Sequence, residues 1–136
     1  MTETTRFFHE IVDIHRAIER WFTGRAEPAE LVPLLARFSP TFQMVSMQGN
    51  TLGKEEVAEL FGRMHGKRPE LRISIDQMDT SHEWPGGVCL TYRETHADSD
   101  GFQTVRRSTV LLEASADGSL QWRHLHETPV ASLGRS

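Results

Sequence analysis

The sequence predicts an α+β domain in which N-terminal helices pack on a curved antiparallel sheet. Three observations predict it. Apolar residues recur at helical spacing near the N-terminus and again over residues 54–65. Everything after Leu71 reads as strands separated by Gly-containing turns. The length, 136 residues, fits one domain that buries enough surface to need neither a disulfide nor a metal.

The first segment is a long amphipathic helix. Phe7, Ile11, Ile14, Ile18, Trp21 and Phe22 recur on one side, with Glu10, Asp13, Arg16 and Arg20 on the other. Thr4 or Thr5 can cap its start and Gly24 can end it. His15 lies on the apolar stripe, where it either finds a core partner or points at a pocket. A short second helix is predicted over residues 31–38, with Pro33 tolerated only in its first turn and Ser39-Pro40 breaking it. Residues 42–47 alternate like a strand, and Gly49-Asn50 signals a turn. A third helix covers residues 54–65, with Gly53 as N-cap, Glu56 three residues on, and Leu52 and Val57 spaced as a hydrophobic staple. Strands follow over residues 71–82, 88–97, 102–114 and 120–130. Residues 132–136 are expected to fray.

Composition narrows the function classes. A single cysteine, Cys89, forbids an intrachain disulfide and points to a reducing, cytoplasmic setting. Residues 1–6 lack a secretory pattern, and no apolar run approaches the ~20 residues that span a bilayer. A net charge of −4 and no basic stripe with interleaved aromatics argue against nucleic acid as a partner.

Two Asp-Gly connectors set a register. A three-residue hairpin loop often ends with Gly in the left-handed region, and Gly101 and Gly118 suit that role. Glu94 then faces Arg106, Tyr92 faces Ser108 and Leu90 faces Val110. On the next strand Trp122 faces Leu112, His124 faces Val110 and His126 faces Ser108. Period-two alternation puts these residues on one side of the sheet, and Thr91, Arg93, Arg107, Thr109, Leu125 and Glu127 on the other. The first side is more apolar, so it is assigned to the core. It starts with Leu90, Val110, Leu112 and Trp122 and ends with polar groups, like a closed end and an open mouth.

That mouth is the candidate site. Tyr92, Glu94, Arg106, Ser108, His124 and Trp122 are the candidate ligand-binding residues, and His126 is the candidate general base because its pKa lies near neutrality. Arg106 either binds a carboxylate or pairs internally with Glu94. His124 and His126 with Glu94 would suit zinc or iron, but the spacing alone is weak, and no metal or cofactor is expected. Cys89 falls on the outer side without a nearby His, so no nucleophile is proposed.

Helix-helix-strand-helix followed by a multi-stranded sheet resembles the nuclear transport factor 2-like superfamily. That group includes SnoaL-like polyketide cyclases, ketosteroid isomerases and the association domain of calcium/calmodulin-dependent kinase. The stretch from Phe42 through Met64, the strand with Thr91-Tyr92-Arg93, and Trp122-Arg123-His124-Leu125-His126 carry the resemblance. It implies a cone, with helices closing over the bent sheet around a pocket, and a homodimer through the sheet's outer side, where Leu125, Thr109 and Leu111 are placed. It implies a small-molecule pocket protein with acid-base chemistry or, alternatively, a non-enzymatic association module. Asp76 and Asp79 lie on a strand whose register is not set, so the Asp base of isomerase-like members is not transferred.

Overall fold

The computed structural model describes residues 3–130, and the fraying expected of residues 132–136 falls outside them. The order is α1 (Glu3–Thr23), a 3-10 turn (Pro28–Glu30), α2 (Leu31–Leu35), β1 (Phe38–Val45), β2 (Thr51–Gly53), α3 (Lys54–Met64), β3 (Arg72–Trp84), β4 (Gly87–Ala97), β5 (Gln103–Ala114) and β6 (Leu120–Pro129). Among the described residues no helix is long and apolar enough to cross a membrane.

The apolar stripe of α1 lies on the sheet, with Ile11 and Ile14 fully buried. Gly24 ends α1 in the left-handed conformation, at φ 82°. Gly66, at φ 71°, does the same beyond α3. The two glycines meet: a Cβ on Gly24 would come 3.2 Å from the Gly66 Cα. Two backbone bonds tie the helix ends there, from Gly66 N–H to Trp21 O (3.1 Å) and from Arg68 N–H to Phe22 O (3.0 Å). At the start of α3 the Glu56 carboxylate accepts the Gly53 N–H at 2.7 Å, the capping predicted for it.

The second helix is shorter than predicted. It stops at Leu35, and Ser39-Pro40 lie inside β1. Packing overrides local propensity here, because Phe38 and Phe42 are buried against each other and Phe38 against Trp122. Pro40 has no N–H to give a ladder, and the β1–β6 pairing is interrupted between Phe38 and Gln43.

Among the described residues the sheet has six strands, in the order β2-β1-β6-β5-β4-β3. It is mixed rather than wholly antiparallel, because β1 runs parallel to β6. Helices cover its inner side, where Trp122, Tyr92, Leu90, Leu112, Val88 and Val110 are buried.

Candidate functional site

Both Asp-Gly hairpins close as the glycines predict. Gly101 and Gly118 have φ of 85° and 86°, and Asp98 and Ser115 bond to Phe102 and Ser119 across the loops. The β4–β5 ladder is regular and pairs Glu94 with Arg106, Tyr92 with Ser108, and Leu90 with Val110.

The β5–β6 ladder is not regular. Trp122 pairs with Leu112, but the next pair is His124 with Leu111, so Arg123 is an extra residue in a bulge. Beyond it every side chain changes face. Leu125 and Glu127 turn inward, with Leu125 8% exposed. His124 and His126 turn outward, and His126 is exposed and paired with Thr109 rather than Ser108. The expected placement of both imidazoles and the outer placement of Leu125 and Glu127 are thereby corrected. The reason lies in Trp122 and Leu125. They are three residues apart, and a straight strand would bury only one of them.

The inner side ends in a small cavity of about 170 Å³ between the sheet, α1 and α3. Ile18 and Phe22 of α1, Leu60 of α3 and Met44 of β1 form its apolar wall. Glu94, His96, Arg106 and Glu127 form its polar end, and Trp122 and His15 line it between. A larger groove of about 730 Å³ runs over the outside of α1 past Arg6, Asp13, Arg16 and Arg37, and it shares none of these groups.

Glu94 does not pair with Arg106, although the register sets them opposite. Its carboxylate is held by His15 Nε2 at 3.1 Å and His96 Nε2 at 2.5 Å. His15 Nδ1 donates to the Ile11 carbonyl at 2.7 Å, so a proton on Nε2 toward Glu94 makes the ring an imidazolium. Burial works against that charge, but Glu94 and the Ile11 carbonyl outweigh it and raise the His15 pKa. Burial likewise opposes the charge on Glu94, yet His15 and His96 hold its carboxyl well below the usual carboxylate range.

Arg106 turns instead to Glu127, 3.7 Å away, and donates to the Thr104 hydroxyl at 3.1 Å. Burial, reinforced by the negative charge of Glu94, pushes the Glu127 carboxyl up to about 7 against the attraction of Arg106. Among the described residues Arg106 Nε is buried without an acceptor, as are the hydroxyls of Tyr92 and Ser108 without partners. The two hydroxyls are close enough for Ser108 to lower the Tyr92 pKa a little but not in hydrogen-bond geometry. Burial dominates and raises that pKa well above its ordinary value, so Tyr92 stays neutral.

Asp76 and Asp79 are exposed on the outer side. Asp76 is held by Arg93, and a bulge at Gln77, with φ 54°, separates it from Asp79. Cys89, half-buried on the same side, has His82 as its cross-strand partner, which the undetermined register of β3 concealed. Glu127 and His96 are the site residues that sequence reasoning missed. His96 shares the parity of Tyr92 and Glu94, which was a usable signal.

No family model matches the chain, and no curated protein does either. Among solved structures, one described as an NTF2-like protein of unknown function from Pseudomonas aeruginosa is 39% identical over 92% of this chain and 98% of its own, with a TM-score of 0.87. The chain belongs to the NTF2-like family. The fold shared with other members is broader than the sequence. A ketosteroid isomerase-like protein from Erwinia carotovora is 14% identical, with a TM-score of 0.64 over 90% of this chain and 92% of its own. The association domain of calcium/calmodulin-dependent kinase II from Caenorhabditis elegans is 11% identical, with a TM-score of 0.67 over 91% and 96%. At these identities the NTF2-like architecture is what is shared, and the chemistry must be argued from this chain's own groups.

Proposed function

We propose that this NTF2-like protein holds a small molecule in the inner cavity and performs an acid-base step on its polar end. The observation that carries the reading is the inward pair Glu127–Arg106 at the end of an apolar pocket. A carboxyl group titrating near neutrality can both take and return a proton at physiological pH. The neighbouring guanidinium is placed to stabilise oxyanion charge that develops when a carbonyl compound loses an α-proton. Arg106, Glu94 and Trp122 line this site, whereas Tyr92 and Ser108 are buried in the core and do not line it. Glu127, and not the outward-facing His126, takes the base role. The setting is a reducing one, in which Cys89 stays a thiol.

The outer side of the sheet offers a surface for a homodimer, centred on Leu111 and Thr109. Leu125 no longer contributes to it. Association there leaves the pocket intact, so assembly and ligand binding are compatible.

The test is hydrogen-deuterium exchange of small ketones such as cyclohexanone in D2O, followed by NMR. Exchange above the buffer rate that is lost in Glu127→Gln, with the variant's circular dichroism unchanged, is the expected result. Equal exchange by the wild type and the variant would refute the role of Glu127.

A further inference from the structure

The polar end of the cavity has more donor capacity than its own acceptors use. Glu94 is occupied on both oxygens by His15 and His96, so it does not serve Arg106. Arg106 donates to Thr104, its approach to Glu127 at 3.7 Å is longer than a hydrogen bond, and its Nε is buried with no acceptor among the described residues. Its side chain is only 12% exposed, so bulk water does little to screen it. A half-satisfied buried guanidinium calls for a planar, two-oxygen acceptor.

Size bounds the rest of the ligand. An apolar cavity of roughly 150 Å³ admits one benzene ring. The cavity here, about 170 Å³, is of that scale and far below what a fused-ring skeleton needs. Its wall opposite the polar end is apolar, formed by Ile18, Phe22, Leu60 and Met44.

On this basis, and resting on the pocket reading above, we infer that the cavity selects a monocarboxylate with a single-ring or short-chain apolar body, bound at Arg106 with one proton taken up by Glu127. The proton is required by charge. A carboxylate bridging Arg106 and Glu127 would meet a second carboxylate unless Glu127 is protonated, and protonated Glu127 donates to the ligand's second oxygen. The charged groups acting on Glu127 are Arg106 from β5, Glu94 from β4 and His15 from α1, and His96 of β4 lines the cavity beside them. The residues of β1 and α3 that line the cavity with Glu127, Met44, Val57, Leu60 and Phe61, do not titrate. Because the free Glu127 carboxyl already titrates near 7, uptake occurs within the physiological range.

Calorimetric titration with benzoate and cyclohexanecarboxylate, with benzyl alcohol as the neutral isostere and anthracene-9-carboxylate as the oversized anion, tests this. Expected are binding of the two small acids, at least about tenfold weaker binding of the alcohol, and none of the tricyclic acid. Between pH 6 and pH 8 the Kd of benzoate should rise about tenfold, the linkage of one proton to a group of pKa near 7. Glu127→Gln should bind with little pH dependence, and Arg106→Gln should lose binding that Arg106→Lys partly keeps. Failure of every probe at millimolar concentration, equal affinity for the alcohol, or a pH-independent wild-type Kd would overturn the inference. Ketone exchange that persists when the acids fail to bind would sink this inference alone, and acid binding without exchange would sink only the base role.

Discussion

Replacing Glu94 by Gln removes one charge from the centre of the fold and nothing else of size. The carboxylate is 4% exposed and accepts hydrogen bonds from two imidazoles, at 3.1 and 2.5 Å. A hydrogen bond to a charged group contributes about 1.5–3 kcal/mol, and two such bonds less the cost of burying the charge leave about 2–3 kcal/mol. For a domain of this size that is a fall in Tm of roughly 10 °C. The pH dependence follows from the two partners. Glu94 is held below its ordinary 4.5, so its contribution is present above that value and is lost as pH falls through the depressed folded-state pKa. His15 is raised above its ordinary 6.5, so its contribution is complete below that value and is lost as pH rises through the raised one. The difference between wild type and Glu94→Gln should therefore peak between about pH 4.5 and pH 6.5 and shrink on either side. Urea denaturation followed by tryptophan fluorescence from pH 4 to pH 9 measures it. A difference below about 1 kcal/mol at pH 6, or one that is flat across the range, would refute the charged His15–Glu94 pair.

Three further outcomes are expected. Tyr92→Phe removes a buried hydroxyl without a partner and should leave stability unchanged or raise it by up to about 1 kcal/mol in urea melts, whereas a loss above that would show that the hydroxyl is bonded. Gly87→Ala drives a Cβ into the Trp84 ring, which must swing away; a red-shifted tryptophan emission and a loss of about 1–2 kcal/mol should follow, and an unchanged spectrum would count against the contact. Light scattering at tens of micromolar should give a dimer mass for the wild type and a monomer mass for Leu111→Glu, and a wild-type monomer would remove the proposed interface.

How much could be read in advance depended on whether the signal was local. Gly101 and Gly118 marked their own left-handed positions, and those two residues were enough to register β4 against β5 and to bring Tyr92, Glu94, Arg106 and Ser108 to one side. The bulge at Arg123 carries no glycine or proline. Its only trace is the three-residue step from Trp122 to Leu125, which alternation alone reads as one residue in and one out. The bulge at Gln77 is equally silent, since a glutamine at positive φ leaves no mark in the sequence. Partner choice was hidden for a different reason. Glu94 and Arg106 are opposite in the ladder, but the competing donor, His15, comes from 79 residues away on a helix whose rotation the strand pattern does not fix.

The bulge in β6 also says something about how such a pocket can change over evolutionary time. A point substitution alters one side chain, whereas a single residue gained or lost after His124 would exchange the two faces of everything that follows. Loss of Leu125 would put His126 in its inward place and send Glu127 out, at the cost of an apolar core side chain. The hairpin at Gly118 and the buried Trp122 precede the change and would keep their places. The proposed base thus lies just beyond an irregularity that already decides which face each side chain shows, so one insertion or deletion there would change the proton-transfer group and the core packing beside it together.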